Sequence, residues 1–173
     1  MSVVDADSFM AAVGRNSDEP ELKKLFSLLG IGVGCLSDFP IRIPSQRLWT
    51  DEPARLQLEF KDAGVLGDMA CHDAGEGPWL LTDVIFWGRD KGRDAYAGPL
   101  PFGLSFTMDR ASVRALMEPS LGTPQVFGDQ GTVDVWTFGA IEILVDCAGE
   151  GGHRCVALNL SLIHISEPTR LLS

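Results

Sequence analysis

The sequence predicts an α+β fold made of two pseudo-repeated halves, each packing helices on an antiparallel sheet. Three observations predict it. Amphipathic helix patterns occur in both halves, runs of alternating residues follow them, and short Gly-containing turns join the later strands. An internal echo supports the division: the segments ending at Gly30 and at Gly122 both close a helix on a Leu-Gly pair and both precede strands. The halves are placed at 1–97 and 98–159, with 160–173 set apart as a non-native tail.

In the first half, Asp5 to Val13 is expected to be a short helix, with Asp5 or Asp7 as its cap, Phe9, Met10 and Val13 on one face, and Gly14 ending it. Asn16 to Pro20 collects the start signals of a second helix: cap-type side chains, a proline in the first turn, and acidic groups against the positive helix end. Leu22, Leu25, Phe26 and Leu29 then repeat at helical spacing, and Gly30 sits where a helix stop is expected. Residues 31–43 suit an irregular connection or a short strand. Gly30, Gly32 and Gly34 follow a helix instead of preceding one, which argues against a phosphate-binding loop.

Arg47 to Thr50 is expected to be a strand. Ala54 to Phe60 is a clearer one, with Leu56, Leu58 and Phe60 opposite Arg55, Gln57 and Glu59. Lys61 to Pro78 is expected to be a long acidic loop containing Asp62, Asp68, His72, Asp73 and Glu76. Trp79 to Trp87 is the most apolar strand. Strict alternation along it would put Trp79, Asp83 and Trp87 on one face. Gly88 to Ala97 is a charged turn. In the second half, Leu104 to Thr107 is expected to be a strand, Asp109 to cap a helix with Val113, Leu116 and Met117 on its apolar face, and Pro119 to interrupt that helix. Val133 to Phe138, Ile141 to Cys147 and Arg154 to Asn159 are expected to be antiparallel strands, the first two joined tightly at Gly139-Ala140.

Composition bounds the function. The chain has 173 residues, 45% hydrophobic and 22% charged, enough to bury a core and too apolar for wholesale disorder. Its net charge is -10. Nucleic acid is therefore disfavoured as a partner, because phosphate binding needs clustered Lys and Arg, whereas a basic protein is favoured. No apolar run of membrane-spanning length occurs, and the acidic start (Met1 to Asp7) lacks the basic region of a signal peptide, so no membrane association and a cytoplasmic location are expected. Four cysteines, Cys35, Cys71, Cys147 and Cys155, are too sparse for a disulfide framework and are expected to be reduced, buried or hairpin thiols.

The search for chemistry finds little. Cys71-His72-Asp73 and Cys147, His153 and Cys155 are the ligand-like clusters, but neither has the usual zinc spacing. No nucleophile-elbow, metalloprotease or Walker pattern is present. No catalytic residue, cofactor or metal is expected. Of the four tryptophans, Trp136 is assigned to the core. Trp79 and Trp87, with Asp83 and the loop carboxylates Asp68, Asp73 and Glu76, are assigned to a partner-binding surface, because aromatics anchor interfaces.

The segment from Gly103 to Leu116, followed by Leu121, Gly122, Pro124 and Trp136, resembles the pattern of the BamE/SmpA-like fold, shared in tandem form by beta-lactamase inhibitory protein. The resemblance covers about 40 residues, and 117–120 depart from it as an insertion before the Leu-Gly stop. The longer layout, with Gly98 to Pro101 joining two halves, is similar to bacterial cytoplasmic proteins found near polymorphic toxin systems, some regarded as immunity proteins. These resemblances imply binding through a sheet face and loops, with no catalytic residues to carry over. They point to an immunity-type inhibitor of a basic toxin, or to a structural module of the same fold; an unrecognised hydrolase is the remaining alternative.

Leu160 to Arg170 resembles the conceptual translation of a transposase-based sequencing adaptor. The natural sequence is therefore expected to end near Asn159, and neither His164 nor the Asn159-Leu160-Ser161 sequon is assigned a role.

Overall fold

The structure is a computed structural model that describes residues 4–32, 35–148 and 155–163, with only the backbone of Cys35, Ser37, Ile41 and Arg42. His153, the turn around it, Gly34, and residues 164–173 of the tail lie outside the described residues. The chain is α+β, and the described residues form four α-helices and one eight-stranded antiparallel sheet.

Helix α1 spans Ala6–Ala12, where the Asp5 carboxylate accepts from the Ser8 backbone N–H at 2.7 Å, the capping geometry the sequence predicts. Helix α2 spans Pro20–Leu29. Leu22, Leu25 and Phe26 are buried, and Gly30 ends the helix in the left-handed region at φ 70°. Strands β1 (Ile41–Ile43), β2 (Gln46–Asp51), β3 (Leu56–Asp62) and β4 (Trp79–Trp87) form a meander. Helix α3, Ala63–Leu66, breaks the segment expected to be all loop. After β4 the chain crosses to the far side of the sheet. The strand expected at Leu104 to Thr107 is absent; a 3-10 turn at Pro101–Gly103 and further turns stand there, with Leu100 and Leu104 buried.

Helix α4 spans Arg110–Leu121, its start capped by Asp109, whose carboxylate accepts from the Ser112 N–H at 2.7 Å. Pro119 does not interrupt it. A proline this close to the helix end forfeits one backbone bond, and Gly122 N–H still donates to the Glu118 carbonyl at 2.8 Å. The short strand β5, Gln125–Phe127, was not predicted. The meander β6 (Val133–Phe138), β7 (Ile141–Asp146) and β8 (Ala157–Leu162) then returns inward. Gly139 and Ala140 make the two-residue turn between β6 and β7, with Gly139 at φ 61° as such hairpins require.

The sheet order is β1-β2-β3-β4-β8-β7-β6-β5. Strands β1 to β4 come from 1–97 and β5 to β8 from 98–162, and the two sets meet where β4 pairs with β8. They share one buried cluster. Phe9 of α1 meets Phe86 of β4 edge-on at 5.0 Å, and Phe26 of α2 meets Phe60 of β3 at 5.8 Å. Helix α4 is tied to β6 by charge: Arg110 and Arg114, one turn apart, both fork onto the fully buried Asp134 at 2.5–3.0 Å. Burial alone would raise the Asp134 pKa; the two guanidinium groups reverse this and hold it at about 2. Trp136 is buried, as its core assignment expects, and its Nε1–H donates to the Gly122 carbonyl at 2.9 Å.

Strand β8 takes in Leu160, Ser161 and Leu162, the first residues of the segment expected to be non-native. Leu158 and Leu160 are fully buried. Alternating leucines satisfy a central strand whatever their origin.

Candidate protein-binding face

The helices pack on one face of the sheet, and the strand register defines the other. In β3, residues Leu56, Leu58 and Phe60 are buried, while Gln57, Glu59 and Lys61 are half-buried on the opposite side. Following the pairing outward, Glu59 stands opposite Asp83, Asp83 opposite Ser161, and Ser161 opposite Glu142, so three carboxylates lie in one cross-strand row. A neighbouring row runs from Ile85 through Asn159 and Leu144 to Val135. The next runs from Trp87 through Ala157, Asp146 and Val133 to the exposed Phe127. Among the described residues, the open-face positions of β3, β4, β7 and β8 carry the carboxylates of Glu59, Asp83, Glu142 and Asp146 and one basic side chain, Lys61. Facing carboxylates repel. The Gln57 side-chain amide donates to Glu59 at 2.7 Å, and the Asn159 amide approaches Asp83 at 3.4 Å.

A β-bulge decides which β4 residues reach this face. Glu59 pairs with Asp83 and Phe60 with Leu81, so Thr82 is the extra residue; it is buried, and its hydroxyl donates to the Glu59 carbonyl at 3.3 Å. The bulge reverses the alternation. Trp79 and Leu81 therefore join Val84 and Phe86 in the core, while Asp83, Ile85 and Trp87 face outward. The assignment of Trp79 to a partner surface is thus corrected: it is 7% exposed and lies beneath the Arg47 guanidinium, 5.1 Å from its ring centroid. Trp87 remains 37% exposed.

The acidic loop before β4 is organised by one carboxylate that the alternation of β3 already places on the core side. Asp62 is fully buried and accepts backbone N–H groups from Gly64, Val65, Gly75 and Gly77 at 2.8–3.3 Å, with His72 Nε2 at 2.6 Å. Burial pushes its pKa up, but the donors from Gly77, Gly75, His72 and Val65 outweigh this and bring it to about 2. The loop is thereby folded around Asp62, with Asp68, Asp73 and Glu76 exposed on its outside and Glu76 3.8 Å from His72 Nδ1. Asp68, Asp73 and Glu76 sit at the Trp79 end of β4, Asp83 in its middle and Trp87 at the far end, about 26 Å away at ~3.3 Å per residue. The six residues assigned to a partner surface therefore form no single patch.

The same separation keeps the cysteine clusters apart. Cys71 and His72 lie at the Trp79 end, and Cys147 and Cys155 at the Trp87 end. Cys71 is exposed, so of the buried or hairpin thiols expected it is not a buried one. Cys147 and Cys155 are buried, and burial pushes their thiols up to about 11 and about 12, far from a reactive thiolate at neutral pH. Among the described residues no group of three or more His, Cys, Asp or Glu side chains could hold a metal ion. No helix among them is long and apolar enough to cross a membrane.

At the Trp87 end lies an open groove of about 1100 Å³, bounded by the turn after β4 and by the β2–β3 connection. Its rim carries ion pairs from Arg93 to Glu52 and Asp90 and from Arg89 to Asp94, at 3.3–3.5 Å. The groove had no sequence signal beyond the charged turn itself. No protein-family model, curated protein or solved structure matches the chain.

Proposed function

We propose that this chain is a non-catalytic protein-binding module, an immunity-type inhibitor that occludes a basic bacterial toxin in the cytoplasm with the open face of its sheet. The observation that carries this reading is the carboxylate row of Glu59, Asp83 and Glu142 beside the row containing Ile85 and Leu144 and the exposed Trp87, in a chain of net charge -10. Charge of one sign steers a basic partner toward the face, and apolar side chains that become buried there supply the affinity. Asp68, Asp73 and Glu76 would form a second contact at the other end of β4.

Co-purification with the toxin encoded beside the gene tests the reading. Complex formation that weakens on Trp87→Ala or Asp83→Lys supports it; absence of a complex, or indifference to both substitutions, removes it. A second reading, a structural assembly module, is favoured by the edge strand β5, whose Val126 and Phe127 are about half exposed beside unpaired backbone groups. That role predicts self-association, which sedimentation of the isolated chain would detect.

A further inference from the structure

The molecule neutralises its buried carboxylates thoroughly: Asp134 has two arginines, and Asp62 has four backbone N–H groups and a histidine. Its one strongly buried cation among the described residues is treated differently. Arg55 is 9% exposed, and its Nη2 donates to the Gly88 carbonyl at 2.7 Å. Its Nε is buried with no partner, and among the described residues no carboxylate makes an ion pair with its guanidinium. The carboxylates around it are engaged elsewhere. Asp51 accepts from Ala54 N–H, Glu52 pairs with Arg93, and Asp146 accepts from Ala148 N–H.

The backbone at Arg55 is also unusual. Its φ is 61°, a left-handed conformation that a bulky side chain adopts only when its surroundings hold it there. Two backbone bonds hold it: Arg55 N–H donates to the Glu52 carbonyl in the β2–β3 turn at 3.3 Å, and Trp87 N–H of β4 donates to the Arg55 carbonyl at 3.0 Å. Arg55 lines the 1100 Å³ groove together with Trp87, Phe106 and Lys91.

A buried guanidinium without a counter-charge is costly, and its planar fork matches the geometry of carboxylate and phosphate oxygens. A groove of this size, with apolar side chains and a placed charge, has the character of a small-molecule site. We propose that the groove binds a small ligand bearing a carboxylate or phosphate, with the oxyanion paired to Arg55 and an apolar ring resting on Trp87. This site shares Trp87 with the face proposed above but not the carboxylates of Glu59, Asp83 and Glu142, and its test needs no toxin.

Phenyl phosphate and benzoate probe the two oxyanions on the same ring, inorganic phosphate probes the anion without a ring, and benzylamine is the cationic control. Each is titrated by calorimetry to about 10 mM, enough to fill a millimolar site. Saturable binding of phenyl phosphate or benzoate, stronger than inorganic phosphate and absent for benzylamine, is expected. Arg55→Met should weaken it at least about tenfold, and Trp87→Leu should remove the preference for the ring over inorganic phosphate. Arg55→Lys, which keeps the charge but not the fork, provides the comparison if Arg55→Met does not fold. The proposal is overturned if neither ring-bearing anion binds, if benzylamine binds as well, or if a folded Arg55 variant binds them unchanged.

Discussion

Replacing Asp62 by Asn removes one oxygen and one charge from the centre of the loop that precedes β4. The carboxylate pKa lies at about 2 instead of 3.8, so its ionised form contributes roughly 2–3 kcal/mol to stability at neutral pH. The new amide also points a donor at the N–H groups of Gly75 and Gly77, which approach one carboxylate oxygen at 2.8 and 3.0 Å, or at those of Gly64 and Val65 and at His72, which approach the other. A buried donor left unsatisfied costs about 1–3 kcal/mol. The total, about 4 kcal/mol, is smaller than the 5–15 kcal/mol typical of a domain, so Asp62→Asn should fold with its melting temperature lowered by about 8–16 °C. Urea unfolding followed by tryptophan fluorescence measures the difference. Because the lost contribution is an ionisation, the gap between the two proteins should narrow as the pH falls from neutral toward 2. A difference under about 1 kcal/mol, or one that does not change with pH, would refute the role given to Asp62.

Other outcomes follow from the same geometry. Asp62 and Asp134 both have folded pKa values depressed to about 2, so the stability they contribute is complete above ~4 and is lost as pH falls through 2; urea midpoints that stay flat over that range would contradict this. Pro119→Ala should stabilise the chain by about 1–3 kcal/mol if α4 runs unbroken through Leu121, as thermal melts would show, whereas a neutral or harmful effect would favour a helix that ends earlier. Trp79→Ala should cost about 3–5 kcal/mol of stability and Trp87→Ala less than about 1, a contrast in chemical denaturation that reads out the bulge at Thr82 directly.

The local signals carried far along this chain. Caps at Asp5 and Asp109, the stop at Gly30 and the apolar span of β4 are set by residues within a turn of one another, and the structure has each where the pattern predicts it. What depends on distant pairing was not legible. Strand β5 has three residues and exists because β6 offers an edge, and helix α3 has four residues that follow the Asp62 cap. The single extra residue at Thr82 reversed the face of Trp79, and no periodicity in one strand reveals a bulge created by its neighbour. Asp62 had a readable signal, since it continues the core-facing series Leu56, Leu58 and Phe60, and a carboxylate in such a place must find donors. Arg110 and Arg114 lie one helical turn apart, but only the register of β6 brings Asp134 beneath them.

The claim that matters most is that the carboxylate row receives a basic protein. Its most direct measurement is the association rate of the purified chain with the basic toxin partner proposed above, compared with that of the Glu59→Lys, Asp83→Lys, Glu142→Lys triple variant over a range of salt concentrations. The account predicts fast association that slows steeply with salt in the natural chain, and association at least about tenfold slower in a variant that remains folded. Equal rates with equal salt dependence, or no association by the natural chain, would contradict it.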